Sequence, residues 1–548
     1  MTVPMNMTDY EETRRTFRLE VPERFNFAAD VVDAWADRDP ARLALVAVNG
    51  DGTDVTRWTF ETVARRARQA ANVLSFHGVA KGDRAFLMLP RIPQWYEFML
   101  GAFHLGAVPM PGTTQLTVKD IAYRIQAAEA SVAVVDGAGL DRIREVVSIC
   151  PTLRTVIAVD VDAPEGVVAW DREVAEASDV LPDHKATRAD DPLLLYFTSG
   201  TTAQPKMVLH THASYGIGHE VTARFWQDLR AGDLHWTVSD LGWAKAAWGK
   251  LFGQWTMGAA VVLWNGQGKP DYSLMLRMID DLGVTTFCAP PTIYRQFVSM
   301  DLSGYDFSKL RHCMAAGEAL NADTFTAWRA ATGTEIHDGY GQTETCNVLA
   351  NFRCLPKRPG SMGKPVPGYD VAIVDDEGTV LGAGEVGHIA IRTEPERPVG
   401  LFREYWRDEA RTKAVFRNGW YYTGDLGTMD EDGYFWFSSR ADDVIISAGY
   451  RIGPFEVESV IIEHDSVMEV AVIGVPDADR GEVVKAFVVL ASDQTPGPEL
   501  VAEIQEHVKQ QTAPYKYPRQ IEFLEELPKT VSGKIRRVDL RAREAMDV

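Results

Sequence analysis

Cysteine is scarce in this chain and shows no arrangement that would build a disulfide framework or bind zinc. Five cysteines occur in 548 residues, and no two form a Cys-x-x-Cys pair or join a histidine cluster. They are Cys150, Cys288, Cys313, Cys346 and Cys354. Reduced thiols of this kind are typical of a cytosolic protein. The polar, acidic N-terminal stretch contains no apolar run of signal-peptide length, so we predict a cytoplasmic location.

Positive charge and long apolar runs are also lacking. The chain has 56 Lys and Arg residues against 77 Asp and Glu residues, a net charge of −21. This balance argues against general binding to nucleic acid or to an anionic membrane face. No run of about 18 apolar residues occurs, so the sequence predicts no membrane span. Any site for a polyanionic ligand must therefore be built locally, against the overall field.

Short apolar runs alternate with helical patterns over the first part of the chain. Strand-like runs lie at 43–48, 84–89, 131–136 and 155–160, with amphipathic stretches between them. One of these stretches opens with Thr117-x-x-Asp120, which predicts a capping box. Strands alternating with helices are typical of an α/β fold in which helices cover a parallel or mixed sheet. A chain of 548 residues is longer than a single hydrophobic core usually organises, so its length predicts two or three domains.

The pattern changes twice in the second half. After about residue 360, "VAIVDDEGTVL" predicts a hairpin around Gly378 and "EVGHIAIR" predicts a strand, so a β-rich module follows the α/β part. After "GYFWFSSRADDVI" a compact strand-helix pattern begins and runs to the end of the chain. We place a domain boundary between Ser439 and Asp443, which gives domains 1–440 and 441–548.

The stretch "TSGTTAQPK", residues 198–206, follows the apolar run "LLLYF". It lacks the second glycine of a Walker phosphate loop and the hydroxyl residue after the lysine. Its hydroxyl groups, backbone N–H groups and lysine could still cradle phosphates at a strand end. An ordinary Ser/Thr-rich turn is the alternative.

Three further polar stretches could carry chemistry. In "HDGYGQTET", Glu344 could bind Mg²⁺ and Tyr340 could stack on a base, while the alternative is a glycine turn followed by a helix start. "GWYYTGDLG" places Asp425 between glycines, where it could bind a ribose diol. The basic segment "PYKYPRQIEFLEELPKTVSGKIRR" carries Lys534 on a Ser-Gly loop, from which a lysine could reach a phosphate.

Together, "YFTSGTTAQPK", "DGYGQTE", "GWYYTGDLG", "SRADDVIISAGYRIGP" and "PKTVSGKIRR" resemble the motifs of the adenylate-forming superfamily, in the same order. Within it, "GVPDADRGEVVKAFVVL" and "APYKYPRQIEF" are most similar to medium-chain acyl-CoA synthetases. The resemblance implies an α/β fold with a large N-terminal domain of mixed sheets plus a β-rich module, and a small mobile α+β C-terminal domain. It also implies an ATP-dependent acid:CoA ligase that releases AMP and pyrophosphate and acts on a medium-chain or branched-chain acid.

The resemblance assigns the first half-reaction to residues of both domains. Lys534 would bridge the carboxylate and the α-phosphate, while Glu344 and Thr343 would hold the Mg²⁺ cofactor. Asp425 would take the ribose hydroxyls with help from Arg440. The positions matched to ATP binding are Thr198, Ser199, Gly200, Thr201, Thr202, Lys206, Gly317, Glu318, Asp338, Gly339, Tyr340, Gly341, Gln342, Thr343, Asp425, Arg440, Arg451 and Lys534.

For the second half-reaction, the resemblance implies that the C-terminal domain rotates about a hinge at Asp442 and presents a face that binds CoA. The positions matched to CoA binding are Ala448, Gly449, Tyr450, Arg480, Lys509, Tyr517 and Arg519. The positions matched to the acyl pocket are Trp226, Trp243, Lys245, Trp248, Cys288 and Gly339. Lys245 as a structural cation and the tryptophans as plain core remain alternatives.

Several alternatives and partners stay open at this stage. An aryl-acid CoA ligase, an enzyme that loads a carrier protein and a catalytically silent nucleotide-binding regulator are competing functions. A homodimer and a lysine acetyltransferase acting on Lys534 are further expectations, and acetylation would remove the charge of that lysine. Ala203 stands where similar proteins often have glycine, so we expect residue 203 to have a negative φ or the loop to be ordered only by ATP.

Overall fold

The computed structural model describes residues 5–181, 187–198, 205–316, 322–441, 443–447, 450–477, 480–491, 494–529 and 535–546. The chain divides into two compact units. The first unit contains Met1–Tyr369 and Glu396–Lys413, and the second contains Asp370–Pro395 and Ala414–Val548. The boundary expected at residues 440 and 441 falls inside the second unit and stays a prediction.

The strands lie where alternating or continuous apolar runs predict them, and the strands expected near 43–48, 84–89, 131–136 and 155–160 are confirmed. In chain order they are β1 Leu43–Val48, β2 Val55–Thr59, β3 Arg84–Met88, β4 Val108–Pro111, β5 Val132–Val135, β6 Thr155–Ala158, β7 Val168–Ala169, β8 Pro192–Thr198, β9 Lys206–Thr211, β10 Leu234–Thr237, β11 Ala260–Trp264, β12 Thr286–Ala289, β13 His312–Ala315, β14 Ile336–Tyr340, β15 Leu349–Ala350, β16 Lys364–Pro365, β17 Val371–Val374, β18 Gly387–Arg392, β19 Glu404–Tyr405, β20 Phe416–Arg417, β21 Trp420–Met429, β22 Phe435–Arg440, β23 Ile445–Ser447, β24 Tyr450–Ile452, β25 Val467–Asp477, β26 Gly481–Leu490 and β27 Gln520–Phe523.

The helices follow the amphipathic stretches. In chain order they are α1 Tyr10–Thr16, α2 Ala34–Arg38, α3 Phe60–Phe76, α4 Gln94–Leu105, α5 Val118–Ala128, α6 Gly137–Val146, α7 Trp170–Glu176, α8 His219–Val221, α9 Ala244–Gly249, α10 Phe252–Thr256, α11 Tyr272–Asp281, α12 Pro291–Val298, α13 Ala322–Thr332, α14 Glu409–Val415, α15 Pro454–Ile461, α16 Pro498–Gln511 and α17 Arg537–Met546. Short π-helical segments span Ala28–Asp33, His212–Ile217 and Thr222–Trp226, and 3₁₀ turns span Val147–Ile149 and Pro514–Lys516. The capping box at the start of α5 is confirmed, since Thr117 and Asp120 bond each other's backbone N–H groups.

A large sheet organises the first unit. Its strand order is β16-β15-β14-β13-β12-β10-β11-β1-β2. The central strands run parallel, whereas β2, β15 and β16 pair antiparallel. Helices α11, α12 and α13 pack their apolar faces on this sheet and bury residues such as Phe297 and Trp328. The parallel strands are buried on both faces, which explains their continuous apolar runs.

Two smaller sheets complete the first unit as the structure describes it. One has the order β4-β3-β5-β6-β7 and is parallel throughout. The other has the order β19-β9-β8 and is antiparallel. Leu195, Phe197 and Leu209 of this three-stranded sheet share a core with the five-stranded one. The hairpin of β8 and β9 is thereby anchored on a packed layer.

The second unit contains two mixed or antiparallel sheets in its described residues. One has the order β17-β18-β21-β20 with β22 on β21, and the other has the order β24-β23-β26-β25 with β27 on β26. The predicted hairpin at Gly378 is confirmed, because Asp375 N–H bonds the carbonyl of Thr379 at 3.0 Å and Gly378 has a φ of +86°. The α/β fold class is confirmed, and the β-rich module clusters with the C-terminal residues.

Candidate functional site

The proposed phosphate loop connects two antiparallel strands. Thr198 ends β8, Lys206 begins β9, and the two residues are direct register partners. A Walker loop instead leads from a strand into a helix, so the hairpin connection separates this loop from that class. Ser199, Gly200, Thr201, Thr202 and Ala203 lie outside the described residues, and their predicted roles and the φ of Ala203 stay predictions.

The segment that carries Glu344 is a turn at the end of β14. Thr345 N–H bonds the carbonyl of Gln342 at 3.1 Å, and Gln342 N–H bonds the Thr345 hydroxyl at 3.0 Å. Phe402 N–H bonds the carbonyl of Glu344 at 2.8 Å. After this turn, Thr345 forms an isolated antiparallel β-bridge with Leu401, and the following residues are not helical. The alternative prediction of a helix start after this motif is therefore wrong.

Two side chains, one at the end of β9 and one in the π-helical segment that follows it, bond the carbonyl of Thr343. His210 Nε2 lies 2.8 Å from this oxygen and Tyr215 Oη lies 2.5 Å from it, and the two rings stack with centroids 3.4 Å apart. Burial lowers the pKa of His210 to about 3, so the imidazole is neutral and donates from Nε2. These two bonds fix the backbone at Thr343, the residue before Glu344.

Tyr405 connects the glutamate to the phosphate-loop lysine. Its hydroxyl donates to Glu344 Oε1 at 2.8 Å, and Lys206 Nζ lies 5.3 Å from its ring centroid. Strand β19 pairs with β9, which places Tyr405 opposite Val208. Tyr405 is buried, at 3% exposed. Sequence reasoning missed Tyr405, His210 and Tyr215, because each acts on a motif residue more than 60 positions away in the chain.

These oxygen donors suit Mg²⁺. A carboxylate with one oxygen fixed by a tyrosine, on a residue that follows a threonine in the chain, supplies hard oxygen donors of the kind that Mg²⁺ prefers next to phosphates. In the described part of the chain, no group of three or more His, Cys, Asp or Glu side chains could hold a metal ion alone. The residues therefore fit a magnesium ion that takes other ligands from nucleotide and water.

The glycines of the same motif lie against two tryptophans. A β-carbon on Gly339 would overlap the ring of Trp226, and one on Gly341 would overlap the ring of Trp248. The two indole rings meet edge to face with centroids 6.4 Å apart, and Trp226 Nε1 donates to the carbonyl of His337 at 3.1 Å. We call Trp226 and Trp248 the tryptophan pair. The structure thus brings three of the predicted acyl-pocket residues together, and their role stays a prediction.

The remaining predicted acyl-pocket residues include ionisable groups whose contacts or burial the structure describes. Lys245 Nζ donates to the carbonyl of Ala316 at 3.0 Å. Burial raises the pKa of Asp338 to about 8, with Lys245 opposing the shift. Burial likewise raises the pKa of the Cys288 thiol. Trp243 lies at the position before helix α9. The hydrogen bond to the carbonyl of Ala316 is a structural contact of Lys245. The predicted place of Lys245 in the acyl pocket stays a prediction.

Adding a methyl group at Gly339 tests the pocket assignment. The resemblance matches Gly339 to ATP binding as well as to the acyl pocket, but a β-carbon added there would meet Trp226. We therefore expect Gly339→Ala to lower kcat/KM for the acid by about 10-fold or more and to change the KM for ATP less than the KM for the acid. Steady-state kinetics with each substrate varied would measure both. Gly304→Ala is the matched control, since a β-carbon there meets nothing within 4 Å. A larger change in the KM for ATP than for the acid would contradict the assignment.

In the second unit, Asp425 and Arg440 form a pair. They are register partners on β21 and β22, and Arg440 Nη1 lies 3.2 Å from Asp425 Oδ1. The carboxylate side chain is buried, whereas the guanidinium is 41% exposed. Asp425 N–H also bonds the Thr423 hydroxyl at 3.2 Å. Arg440 therefore orients the carboxylate that the sequence assigns to the ribose.

Three of the predicted CoA-binding residues form one cluster. The Tyr517 ring has Lys509 Nζ 4.6 Å from its centroid and Arg519 Cζ 5.0 Å from it, and Arg519 Nη1 donates to Tyr517 Oη at 3.0 Å. Tyr450 instead stacks on Tyr515 with centroids 4.2 Å apart and an interplanar angle of 14°. Both tyrosines are exposed. Exposed aromatic rings and cations are suited to an adenine and to phosphates.

Other predicted site residues stay predictions. Arg480 donates its N–H to Asp477 Oδ1 at 3.0 Å. Only the backbone of Arg451 is described, as the register partner of Ile446. Gly317, Glu318, Asp442, Ala448, Gly449 and Lys534 lie outside the described residues.

Comparison with known proteins identifies relatives of both parts of the chain. The family model described as AMP-binding enzyme matches residues 32–406, and the AMP-binding enzyme C-terminal domain matches residues 456–534. The acyl-coenzyme A synthetase ACSM3, mitochondrial, of Mus musculus is 45% identical over 99% of this chain and 94% of its own length. Its Homo sapiens counterpart is 45% identical over 99% of this chain and 93% of its own length.

Solved structures agree with this result. The anthranilate CoA ligase AuaEII, in complex with anthranoyl-AMP, superimposes with a TM-score of 0.87 at 32% identity, covering 96% of this chain and 98% of its own. A benzoate CoA ligase from Burkholderia xenovorans LB400 gives 0.83 at 28% identity, covering 94% of this chain and 100% of its own.

Two findings bear on location. The prediction of a cytoplasmic protein is wrong on this comparison, because the similar curated proteins are named as mitochondrial enzymes. Separately, no helix in the described ranges has the length and apolar character needed to cross a membrane.

Proposed function

The chain belongs to the AMP-binding enzyme family and is an AMP-forming acid:CoA ligase, and we propose that its substrate is a medium-chain or branched-chain carboxylic acid. The observation that supports this proposal most directly is the arrangement around the "DGYGQTE" motif. The Glu344 carboxylate accepts from the hydroxyl of Tyr405, and Lys206 lies over the ring of the same tyrosine. Both glycines of the motif lie against the tryptophan pair. One short segment thus contacts both the residues proposed to bind phosphate and the apolar tryptophan pair.

In the first half-reaction, a carboxylate oxygen of the acid forms a bond to the α-phosphorus of ATP. The bond from that phosphorus to the bridging oxygen breaks, and pyrophosphate leaves. Lys206 would neutralise phosphate charge, and Glu344 with the Thr343 hydroxyl would hold Mg²⁺. When bound, Mg²⁺ would supply charge neutralisation on the phosphates. Lys534 would draw the carboxylate and the α-phosphate together.

In the second half-reaction, the CoA sulfur forms a bond to the acyl carbon. The bond from that carbon to the phosphate oxygen breaks, AMP leaves and the thiol proton is released. Asp425, oriented by Arg440, would keep the ribose of the adenylate in place through both steps. The cluster of Lys509, Tyr517 and Arg519, with Tyr450, would bind CoA. Rotation about Asp442 would exchange Lys534 for this face.

Aryl acids are the second candidate substrates. The solved relatives include enzymes named for anthranilate and benzoate, and flat aromatic rings pack well against indole side chains. Transfer to a carrier protein remains the further alternative for the second step. Homodimer formation, acetylation of Lys534 by a lysine acetyltransferase and a role in fatty acid metabolism stay predictions.

A panel of acids tests the proposal. Purified protein is incubated with ATP, MgCl₂, CoA and one acid at a time, covering straight, branched and aryl acids of four to ten carbons. Chromatography with mass detection measures AMP, pyrophosphate and the thioester. We expect AMP and acyl-CoA in equal amounts, with medium-chain or branched acids turned over fastest. Formation of ADP, or transfer to a phosphopantetheine-bearing carrier but not to CoA, would contradict the proposal.

A further inference from the structure

Two buried polar side chains beside the tryptophan pair have unused hydrogen-bonding atoms. Asn347 and His219 are both fully buried. Within the described residues, Asn347 Nδ2, Asn347 Oδ1 and His219 Nε2 have no hydrogen-bond partner. Leaving such atoms unpaired in a protein interior is unfavourable, so they mark a place where another molecule completes the bonding.

Both side chains border the predicted acyl pocket. Asn347 Nδ2 lies 2.8 Å from the position that a β-carbon on Gly339 would occupy, next to the ring of Trp226. The His219 ring lies 5.9 Å from the ring of Trp248, centroid to centroid, at an angle of 62°. The unused polar atoms are therefore set among the rings that would enclose an acyl group.

The Thr222 hydroxyl contacts both the ring of His219 and the backbone of Asn347. The Thr222 hydroxyl oxygen accepts the backbone N–H of Asn347 at 3.2 Å and lies 3.1 Å from His219 Nδ1. In the tautomer in which the hydroxyl donates to Nδ1, the imidazole proton lies on Nε2 and is available to a ligand. Burial holds the pKa of His219 well below its usual range, so the ring is neutral. We call Asn347, His219 and Thr222 the polar notch.

The polar notch offers a ligand two hydrogen-bond donors and one hydrogen-bond acceptor. His219 Nε2 and Asn347 Nδ2 can donate, and Asn347 Oδ1 can accept. A hydroxyl group is the smallest substituent that both accepts and donates. None of the three side chains is cationic, and the nearby Lys245 ammonium donates to the carbonyl of Ala316. A substrate that carried a second carboxylate in place of a hydroxyl would bury a negative charge in the polar notch. Because the notch supplies no cation, burial of that charge is unfavourable.

We infer that the polar notch binds a hydroxyl group carried by the acid substrate, so that the enzyme prefers hydroxylated carboxylic acids over their unsubstituted parents. This inference rests on the proposed acid:CoA ligase function. A site built to bond a substrate hydroxyl discriminates strongly against the analogue that lacks it, because its own polar atoms are then left unpaired. A methylene group in an apolar pocket gives much weaker discrimination.

Matched pairs of acids test the inference. The kcat/KM for AMP formation is measured for hexanoate against 6-hydroxyhexanoate, and for benzoate against its 2-, 3- and 4-hydroxy derivatives. We expect at least one hydroxylated acid to exceed its parent by about 10-fold or more in the wild-type enzyme. Asn347→Leu should reduce this ratio by about 10- to 100-fold by lowering kcat/KM for the hydroxylated acid more than for its parent, because leucine keeps the branching of the side chain and has no polar atoms.

Thr222→Val provides a second variant that leaves Asn347 and His219 in place. It removes the hydroxyl that contacts His219 Nδ1 but none of the unpaired atoms, so the preference should fall less than in Asn347→Leu. Thermal unfolding of each variant checks that it folds. An equal effect of Asn347→Leu on both members of every pair, or parents used as well as hydroxylated acids by the wild type, would mean that the notch holds a water molecule and would overturn the inference. Absence of AMP with every acid would instead overturn the proposed function.

Discussion

Replacement of Lys534 by alanine is expected to lower the rate of adenylate formation by more than about 100-fold, while thioester formation from supplied acyl-AMP stays within about threefold of the wild-type rate. The ammonium group would neutralise charge that develops between the carboxylate and the α-phosphate only in the first step. In the second step the proposed rotation about Asp442 withdraws this lysine from the reacting bond. Pyrophosphate release and AMP release, measured separately, distinguish the two steps.

Lys529→Ala is the matched control for this experiment. Lys529 lies five positions earlier in the same basic segment, and its Nζ contacts Glu469 Oε1 at 2.5 Å. Because an exposed ion pair of this kind contributes little to stability, the control should leave both half-reactions near the wild-type rate. Equal losses in the two steps for Lys534→Ala would contradict the assigned division of labour. A loss in Lys529→Ala as large as in Lys534→Ala would mean that the charge of the whole segment matters.

The second large effect is expected at Glu344. Glu344→Gln keeps the size of the side chain and an oxygen that can accept from Tyr405, but it removes the negative charge that a hard cation requires. We expect adenylate formation to fall by about 100- to 1000-fold, with little change in thermal stability. Rates measured over a series of MgCl₂ concentrations would show whether additional metal restores activity in part.

Tyr405→Phe supplies the graded comparison. This change retains the ring that faces Lys206 but removes the hydroxyl that donates to Glu344 Oε1. We expect a smaller loss, of about 3- to 20-fold, together with a higher Mg²⁺ concentration for half-maximal rate, because the carboxylate is less well oriented. A Glu344→Gln enzyme with wild-type activity and Mg²⁺ dependence would show that another residue holds the metal. An unchanged Mg²⁺ dependence in Tyr405→Phe would show that the tyrosine only packs against its neighbours.

Local sequence patterns determined much of the architecture. The strands near 43–48 and 131–136, the capping box of α5 and the hairpin at Gly378 all lie where the residues predicted them. Each of these features depends on side-chain periodicity or turn chemistry within about ten residues. The family also followed from the sequence, because its motifs are short continuous segments.

Contacts between distant segments needed the tertiary structure. The turn that carries Glu344 has a sequence compatible with a helix start, and the bridge from Thr345 to Leu401 excludes that alternative. The resemblance already assigned Arg440 to assist Asp425, and the register of β21 against β22 shows how the two side chains meet, with Arg440 Nη1 3.2 Å from Asp425 Oδ1. The bridge from Thr345 to Leu401 has no signature in the local sequence.

The sequence by itself determined the fold class, the order of the motifs and the family of this protein, since these depend on residues that are neighbours along the chain. Only the tertiary structure decided that Tyr405 contacts both Glu344 and Lys206. It also decided that, among the described residues, the Asn347 amide and His219 Nε2 have no hydrogen-bond partner beside the tryptophan pair. The physical reason is that strand register and side-chain packing bring together atoms from remote positions. Hydrogen-bond satisfaction can be judged only when all of a group's neighbours are known.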